Sequence, residues 1–97
     1  MSRQKGMCIM ARIIDGQAMN MIGKNVRRLR IKNGWSQKTV SDKLEMLAIY
    51  ICRGSISRIE DQSRTVTDIE LYGLAKVFRV DIHELFEDIE DDITWKN

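Results

Sequence analysis

Basic and hydroxyl-bearing side chains are concentrated in one short stretch of the chain, residues 53–58, with the sequence RGSISR. The candidate binding residues in this stretch are Arg53, Gly54, Ser55, Ser57 and Arg58. A guanidinium group presents a planar fork of N–H donors, which suits paired acceptors such as phosphate oxygens or one edge of a guanine. Serine hydroxyls also reach such acceptors but discriminate poorly among them. These side chains are therefore suited to donate hydrogen bonds to an acceptor-rich partner.

Two helical patterns separated by a break must position these side chains. The first pattern begins at Ser36, a residue type that caps free N–H groups at a helix start. The break spans residues 48–52, and a short second helix follows it. The expected inward positions are Val40, Leu44 and Leu47 in the first helix and Ile56 and Ile59 in the second. A helix, a tight turn and a second helix with a basic outer face are typical of a helix-turn-helix DNA-binding unit.

The charge of the chain is divided unevenly along its length. Residues 1–64 contain 13 Lys and Arg against five Asp and Glu, a net +8, whereas residues 65–97 contain three against nine, a net −6. A polyanionic partner for the basic part fits this division. A merely solvated basic surface is the alternative, and charge alone favours it over a polyanionic partner.

Length and composition exclude several classes of protein. With 97 residues, 43% of them hydrophobic, the chain is expected to form one small folded domain. No apolar run approaches 18 residues, so no membrane span is expected. Two cysteines and one histidine provide neither a disulfide framework nor a metal site, and no nucleophile–base pair or phosphate-binding loop is visible. We therefore expect a cytoplasmic protein that is not an enzyme and needs no cofactor.

Three further helices complete the predicted fold. A first helix over residues 22–33 ends at Gly34, and Trp35 is expected to anchor the corner in the core. Thr67 and Glu70 form a predicted capping box for a fourth helix. The same pattern at Asp81 starts a fifth helix. The expected inward positions are Leu71, Leu74, Ala75 and Phe78 in the fourth helix and Ile82, Leu85, Phe86 and Ile89 in the fifth.

The two ends of the chain follow no clear period. Residues 1–20 are predicted to be an N-terminal arm: a basic arm, a short added strand or helix, or residues upstream of a start at Met19 or Met21. Residues 21–88 are predicted to form the helix-turn-helix domain, and residues 89–97 an acidic tail. The predicted architecture is an all-α, five-helix domain with an added arm.

Residues 22–87 resemble the Xre-type helix-turn-helix domain of the lambdoid phage repressor and Cro class. The matching segments are IGKNVRRLRIKNGWSQ, then ISRIE, then TDIELYGLAKVFRVDIHELF, in that order and spacing. Together they are specific, although each alone is weak. The distance from Gln37 to Glu60 exceeds the plain family pattern by about five residues, which resembles a branch with a longer turn between the second and third helices.

The resemblance implies roles for individual residues. Gln37 is expected to bind a DNA phosphate at the start of the second helix. Lys38 is a candidate phosphate neighbour, although a solvated face is the favoured interpretation of this residue taken alone. The third helix, residues 53–61, is the implied recognition helix. Arg58 is the main candidate for a base contact, with a phosphate contact as the alternative. Gly54 would let the backbone approach the DNA closely. Arg64, in the following loop, would contact the DNA backbone or the minor groove, although a solvated arginine is an equal alternative.

Structural or redox roles, rather than DNA contacts, are expected for three other residues. Arg30 and Glu60 are implied to form a largely buried ion pair that joins the first helix to the end of the recognition helix. Cys52 occupies the position of a helix N-cap, where a lowered thiol pKa would make the DNA reader redox-sensitive. A small substitute for a capping serine is the simpler interpretation of Cys52.

Two functions remain open at this point. The first is a sequence-specific transcriptional regulator of double-stranded DNA, a repressor, acting as a homodimer whose contact surface includes Ile89, Ile93 and Trp95. The second is an antitoxin-like or anti-repressor-like interaction module, in which the N-terminal arm or the acidic tail holds a protein partner. An exposed apolar patch away from the recognition helix would favour the second.

Overall fold

A computed structural model describes residues 17–87, and this part of the chain is built from helices without any strand. Its four α-helices are α1 (Gly23–Lys32), α2 (Gln37–Glu45), α3 (Arg53–Glu60) and α4 (Asp68–Phe78), and a final 3₁₀ helix spans Ile82–Phe86. The predicted all-α fold is confirmed. The predictions for residues 1–16 of the arm and for residues 89–97 of the tail, with Ile89, fall outside the described residues.

The helices enclose one hydrophobic core to which each of them contributes. Its fully buried side chains are Val26, Val40, Leu44, Ile56, Ile59, Leu74 and Leu85. Each such side chain contributes roughly 1.5–3 kcal/mol through burial. Trp35 is half-buried and stacks on Phe78 of α4, with ring centroids 5.7 Å apart. The core therefore fixes α3 through one face and leaves its other face outside.

Local capping signals explain where the helices begin. The Ser36 hydroxyl accepts a hydrogen bond from Thr39 N at 3.0 Å. At the start of α4 the capping box is complete, since Thr67 accepts from Glu70 N and Glu70 accepts from Thr67 N. Gly34 follows α1 with φ +72°, a conformation that glycine adopts without steric cost. These three sequence predictions are confirmed.

The predictions of which side chains are buried were partly wrong for the second and fifth helices. Leu47 is 46% exposed because α2 ends at Glu45 and the chain reverses at Ala48, whose φ is +61°. The predicted fifth helix is a short 3₁₀ helix in which Leu85 is buried, whereas Ile82 and Phe86 are 38% and 36% exposed. A five-residue helix with three residues per turn offers little inward surface, so one of the three apolar residues reaches the core.

The turn between α2 and α3, residues 46–52, is attached to the body of the fold. Ile51 is buried, and its carbonyl accepts a hydrogen bond from the Ser41 hydroxyl. Ile49 packs on α4 at Gly73, where a Cβ would overlap Ile49 Cδ1 and lie 3.0 Å from Leu44 Cδ2. The absence of a side chain at position 73 therefore provides the space that this turn occupies.

Candidate nucleic-acid interface

The two faces of α3 differ in burial and chemistry. Ile56 and Ile59 are fully buried on the inner face. On the outer face, Arg53, Gly54 and Arg58 are exposed, and Ser55 and Ser57 are half-buried. The sequence placed these five residues on the outer side of the helix, where an acceptor-rich partner can approach them.

Arg58 is oriented by a neighbour one turn earlier on α3. Its Nη2 donates to Ser55 Oγ at 3.1 Å, a contact between residues at i and i+3 on an exposed helix face. Arg58 also lies in the last turn of α3, where the helix dipole favours a positive charge. The guanidinium is thus partly ordered before any partner binds.

Cys52 occupies the N-cap position of α3 in an extended conformation, but its side chain makes no capping hydrogen bond. Its Sγ lies 3.6 Å from Ser55 Oγ instead. The Ser55 hydroxyl, followed by the Ser55 backbone N–H, lowers the pKa of the exposed Cys52 thiol. Cys52 therefore occupies the position of a capping serine, but its thiol does not form the hydrogen bond that a capping serine would form.

Arg30 and Glu60 form a bidentate ion pair between α1 and the end of α3. Arg30 Nε donates to Glu60 Oε2 at 2.6 Å and Nη2 donates to Oε1 at 3.0 Å. The side chain of Glu60 is 3% exposed and that of Arg30 14%. The hydrogen bond to Glu60 raises the pKa of Arg30 further above its ordinary value. Arg30 Nη1 also donates to the carbonyl of Trp35, which ties the corner before α2 to the same cluster.

Gln37 belongs to this cluster as well. Its Nε2 donates to Glu60 Oε1 at 3.1 Å, so the first residue of α2 contacts the last residue of α3. Lys38, the next residue, is exposed and pairs with Asp42 at 2.9 Å along α2. Of these two sequence candidates, Gln37 is fixed by the protein and Lys38 lies on a solvated face.

Arg64 is bound to the capping box of α4. Its Nη1 and Nη2 donate to the two carboxylate oxygens of Glu70, each at 3.1 Å. Burial raises the pKa of Glu70, but the hydrogen bonds from Arg64 and Thr67 outweigh it, so the net pKa is lowered. The guanidinium for which the resemblance implies a DNA contact therefore already has a carboxylate partner.

Asn20 is a structural residue that the sequence interpretation missed. Its Oδ1 accepts from the backbone N–H of Ile22 and of Gly23, and its Nδ2 donates to the carbonyls of Ile59 and Arg64. The side chain is buried and joins the start of α1 to the end of α3 and the loop after it. An asparagine just before an apolar helix is a capping signal and could have been recognised. Its bonds to residues about 40 positions away could not.

Other kinds of site find no support in the described part of the chain. Among residues 17–87, no group of three or more His, Cys, Asp and Glu side chains could hold a metal ion. No helix there is long and apolar enough to cross a membrane. His83 is exposed and contacts Asp81 at 2.8 Å, in the turn that caps the 3₁₀ helix.

Comparisons with known proteins agree with this geometry. A family model described as helix-turn-helix matches residues 26–85. The chain is similar to a crystal structure of the restriction-modification controller protein C.AhdI from Aeromonas hydrophila, with a TM-score of 0.60 and 26% sequence identity. The similarity covers 68% of this chain and 92% of that one. No curated protein sequence matches the chain.

Proposed function

Because this chain belongs to the helix-turn-helix family of DNA-binding transcription regulators, we propose that it recognises one double-stranded DNA sequence with α3 and represses transcription from it. The observation that carries the proposal is the outer face of α3, where two exposed arginines lie opposite two fully buried isoleucines. Repression is the proposed mode because occupancy of a promoter is sufficient for it. We propose that this function is exercised in the cytoplasm.

The proposed roles divide the outer residues into base readers and phosphate binders. Arg58 reads a guanine edge, a contact worth roughly 1–3 kcal/mol of discrimination. Gly54 allows close backbone approach. The remaining proposed contacts, to phosphates or neighbouring bases, are made by Gln37, Lys38, Arg53, Ser55, Ser57 and Arg64. Phosphate contacts fix the register of the protein on the duplex and carry no sequence information directly.

Fluorescence anisotropy with labelled duplexes tests the base-reading role. The wild type and Arg58→Ala are titrated with the protein's own upstream DNA and with a scrambled duplex, at two salt concentrations. We expect the wild type to prefer its own DNA and Arg58→Ala to lose that preference while still binding in a salt-dependent manner. Arg79→Ala, which removes an exposed positive charge after α4, is the matched control and should retain the preference. Equal, weak binding of both duplexes by the wild type would contradict the proposal.

We propose further that the functional form is a homodimer on two half-sites about one helical turn of DNA apart. A single domain of this size covers little DNA surface, and small DNA-binding domains commonly bind tightly as dimers. The exposed Ile82 and Phe86 of the final 3₁₀ helix support an apolar contact surface at this end of the fold. Sedimentation equilibrium tests the dimer, and a strictly monomeric protein at micromolar concentration contradicts it.

A protein-interaction module is the second candidate, and one observation favours it. Ile69 and Tyr72 lie one turn apart on α4 and are 65% and 55% exposed, on an element other than the recognition helix. Under this alternative, Tyr72→Ala abolishes complex formation with a protein encoded beside this one and leaves DNA binding unchanged. Co-purification of the two proteins with wild type and variant separates the alternatives.

A further inference from the structure

Tyr50 is a large aromatic residue that remains exposed in a well-anchored segment. Its side chain is 78% exposed, although both of its neighbours are held by the protein. Ile49 packs at Gly73 on α4, and Ile51 is buried with its carbonyl bonded to the Ser41 hydroxyl. The exposure of Tyr50 therefore does not reflect a lack of attachment in this turn.

Burial alternates along this segment in the manner of an extended chain. Ile49 is half-buried, Tyr50 exposed, Ile51 buried and Cys52 exposed. Alternate residues of an extended segment point to opposite sides, so Tyr50 and Cys52 share the side that faces away from the core. Cys52 is the N-cap of α3, and the exposed Arg53 follows it directly. Tyr50 therefore lies on the exposed side of the turn, three positions before the first residue of α3.

Distances along the chain relate Tyr50 to the groove that α3 would occupy. Arg53 lies three positions after Tyr50, a span of at most roughly 10–11 Å in an extended chain. The major groove is about 12 Å wide, and helix-turn-helix proteins place the first residues of the recognition helix against the bases. If α3 lies in the major groove, an exposed side chain within this distance of Arg53 can reach the edge of the groove, which is lined by phosphates.

We infer that Tyr50 binds DNA, and that its phenolic hydroxyl donates a hydrogen bond to a backbone phosphate beside the groove read by α3. This inference rests on the proposed function and adds a contact made by the lengthened turn. A tyrosine hydroxyl is a neutral donor on a side chain with two rotatable bonds, so little conformational freedom is lost on binding. The contact positions the protein on the duplex without reading its sequence.

The test removes the hydroxyl alone. Tyr50→Phe is compared with the wild type by fluorescence anisotropy, on the protein's own upstream duplex and on a scrambled duplex, from 50 to 200 mM salt. We expect about tenfold weaker binding to both duplexes, because a hydrogen bond to a charged group is lost. The ratio of the two affinities and the slope of log affinity against log salt stay as in the wild type, since no cation is removed. Tyr72→Phe, at the other strongly exposed tyrosine, is the matched control and leaves both affinities unchanged.

Two results would overturn the inference while leaving the proposed function standing. One is a Tyr50→Phe variant that binds both duplexes as tightly as the wild type. If Tyr50→Ala also loses self-association in sedimentation equilibrium, Tyr50 belongs to a protein contact instead. The other is a changed salt slope or affinity ratio in Tyr50→Phe, which would mean that the substitution moves α3. Failure of the wild type to prefer its own duplex is a separate result and removes the proposed function together with this contact.

Discussion

Gln37 and Arg30 share one carboxylate: both donate to Oε1 of Glu60, Gln37 Nε2 at 3.1 Å and Arg30 Nη2 at 3.0 Å. The start of α2 and the last turn of α1 are thereby bound to the end of α3. A buried carboxylate beside a phosphate-binding amide would repel the phosphate if its charge were unopposed. Arg30 opposes that charge, so the ion pair is compatible with the phosphate contact proposed for Gln37.

Loss of Arg30 should strongly destabilise the fold. Arg30→Ala leaves the Glu60 carboxylate buried without its cation, and we expect a cost of about 3–5 kcal/mol in the free energy of unfolding. Lys38→Ala, which breaks the exposed Lys38–Asp42 pair, should cost less than about 1 kcal/mol. Urea denaturation at pH 7 measures both. Similar values for the two variants would contradict the structural role of the buried pair.

The contact between Arg64 and Glu70 should make stability depend on pH in the acid range. The folded pKa of Glu70 lies below its unfolded value, so its contribution is fully present above the unfolded pKa, about 4.3, and is lost as pH falls through the folded pKa. The stability difference between wild type and Glu70→Gln should be constant from about pH 6 to 7 and shrink towards pH 3. In an Arg64→Ala background that pH dependence should be much smaller, because the main favourable partner is absent. Denaturant titrations across this range provide the test.

The same pair gives a separate prediction for DNA binding. If Arg64 binds a phosphate as proposed, Glu70 competes with the DNA for the guanidinium. Arg64→Ala should then lower the salt slope by about one, and Glu70→Gln should strengthen binding to every duplex. Anisotropy titrations of both variants at several salt concentrations measure the affinity and the salt slope. Unchanged salt slopes in Arg64→Ala would assign Arg64 to the capping of α4 alone.

Two glycines should respond to alanine in opposite ways. A Cβ at Gly23 would overlap the backbone carbonyl of Ile59, so Gly23→Ala should cost about 1–3 kcal/mol of stability. A Cβ at Gly54 would meet no atom closer than 3.9 Å, and alanine is the better helix former. Gly54→Ala should therefore fold at least as stably as the wild type but bind DNA severalfold more weakly, because the methyl group holds α3 away from the bases. Thermal denaturation and anisotropy together measure this contrast; undiminished DNA binding by Gly54→Ala would remove the close-approach role.

The Cys52 thiol should be more reactive than an ordinary cysteine. The Ser55 hydroxyl holds its pKa below the usual value, so alkylation by iodoacetamide should reach half its maximal rate at a lower pH than for a cysteine in a short unstructured peptide. The experiment uses a Cys8→Ser background, which removes the other cysteine of the chain. Ser55→Ala should shift this midpoint upwards, since the largest cause of the lowered pKa is removed. Identical pH profiles for the two proteins would contradict the assignment to Ser55.

Local signals account for what could be predicted from the sequence. Ser36, Thr67 and Gly34 act within a few residues of themselves, so the ends of the helices follow from residue type and spacing. The spacing of Ile56 and Ile59 likewise defines the buried side of α3 and, by exclusion, its outer side. Leu47 shows the limit of this approach, because its burial depends on where the chain reverses.

Contacts between residues that are distant in the sequence were harder to predict. The sequence indicates that Asn20 precedes a helix, but its bonds to Ile59 and Arg64 depend on how α1 and α3 pack. The resemblance to the phage repressors implied a phosphate contact for Gln37, and its bond to Glu60 could not be inferred from that resemblance. Periodicity also could not distinguish an α-helix from the short 3₁₀ helix at Ile82–Phe86.

The fit of Ile49 against Gly73 has a consequence for protein engineering. Residues 46–52 cannot be grafted alone into a related fold whose fourth helix carries a larger residue at the corresponding place, because the isoleucine would have no room. The graft must include the glycine, about two dozen residues further along the chain. Turn length and one residue of α4 therefore behave as a single exchangeable unit, and a chimaera that separates them should lose the anchorage of the turn.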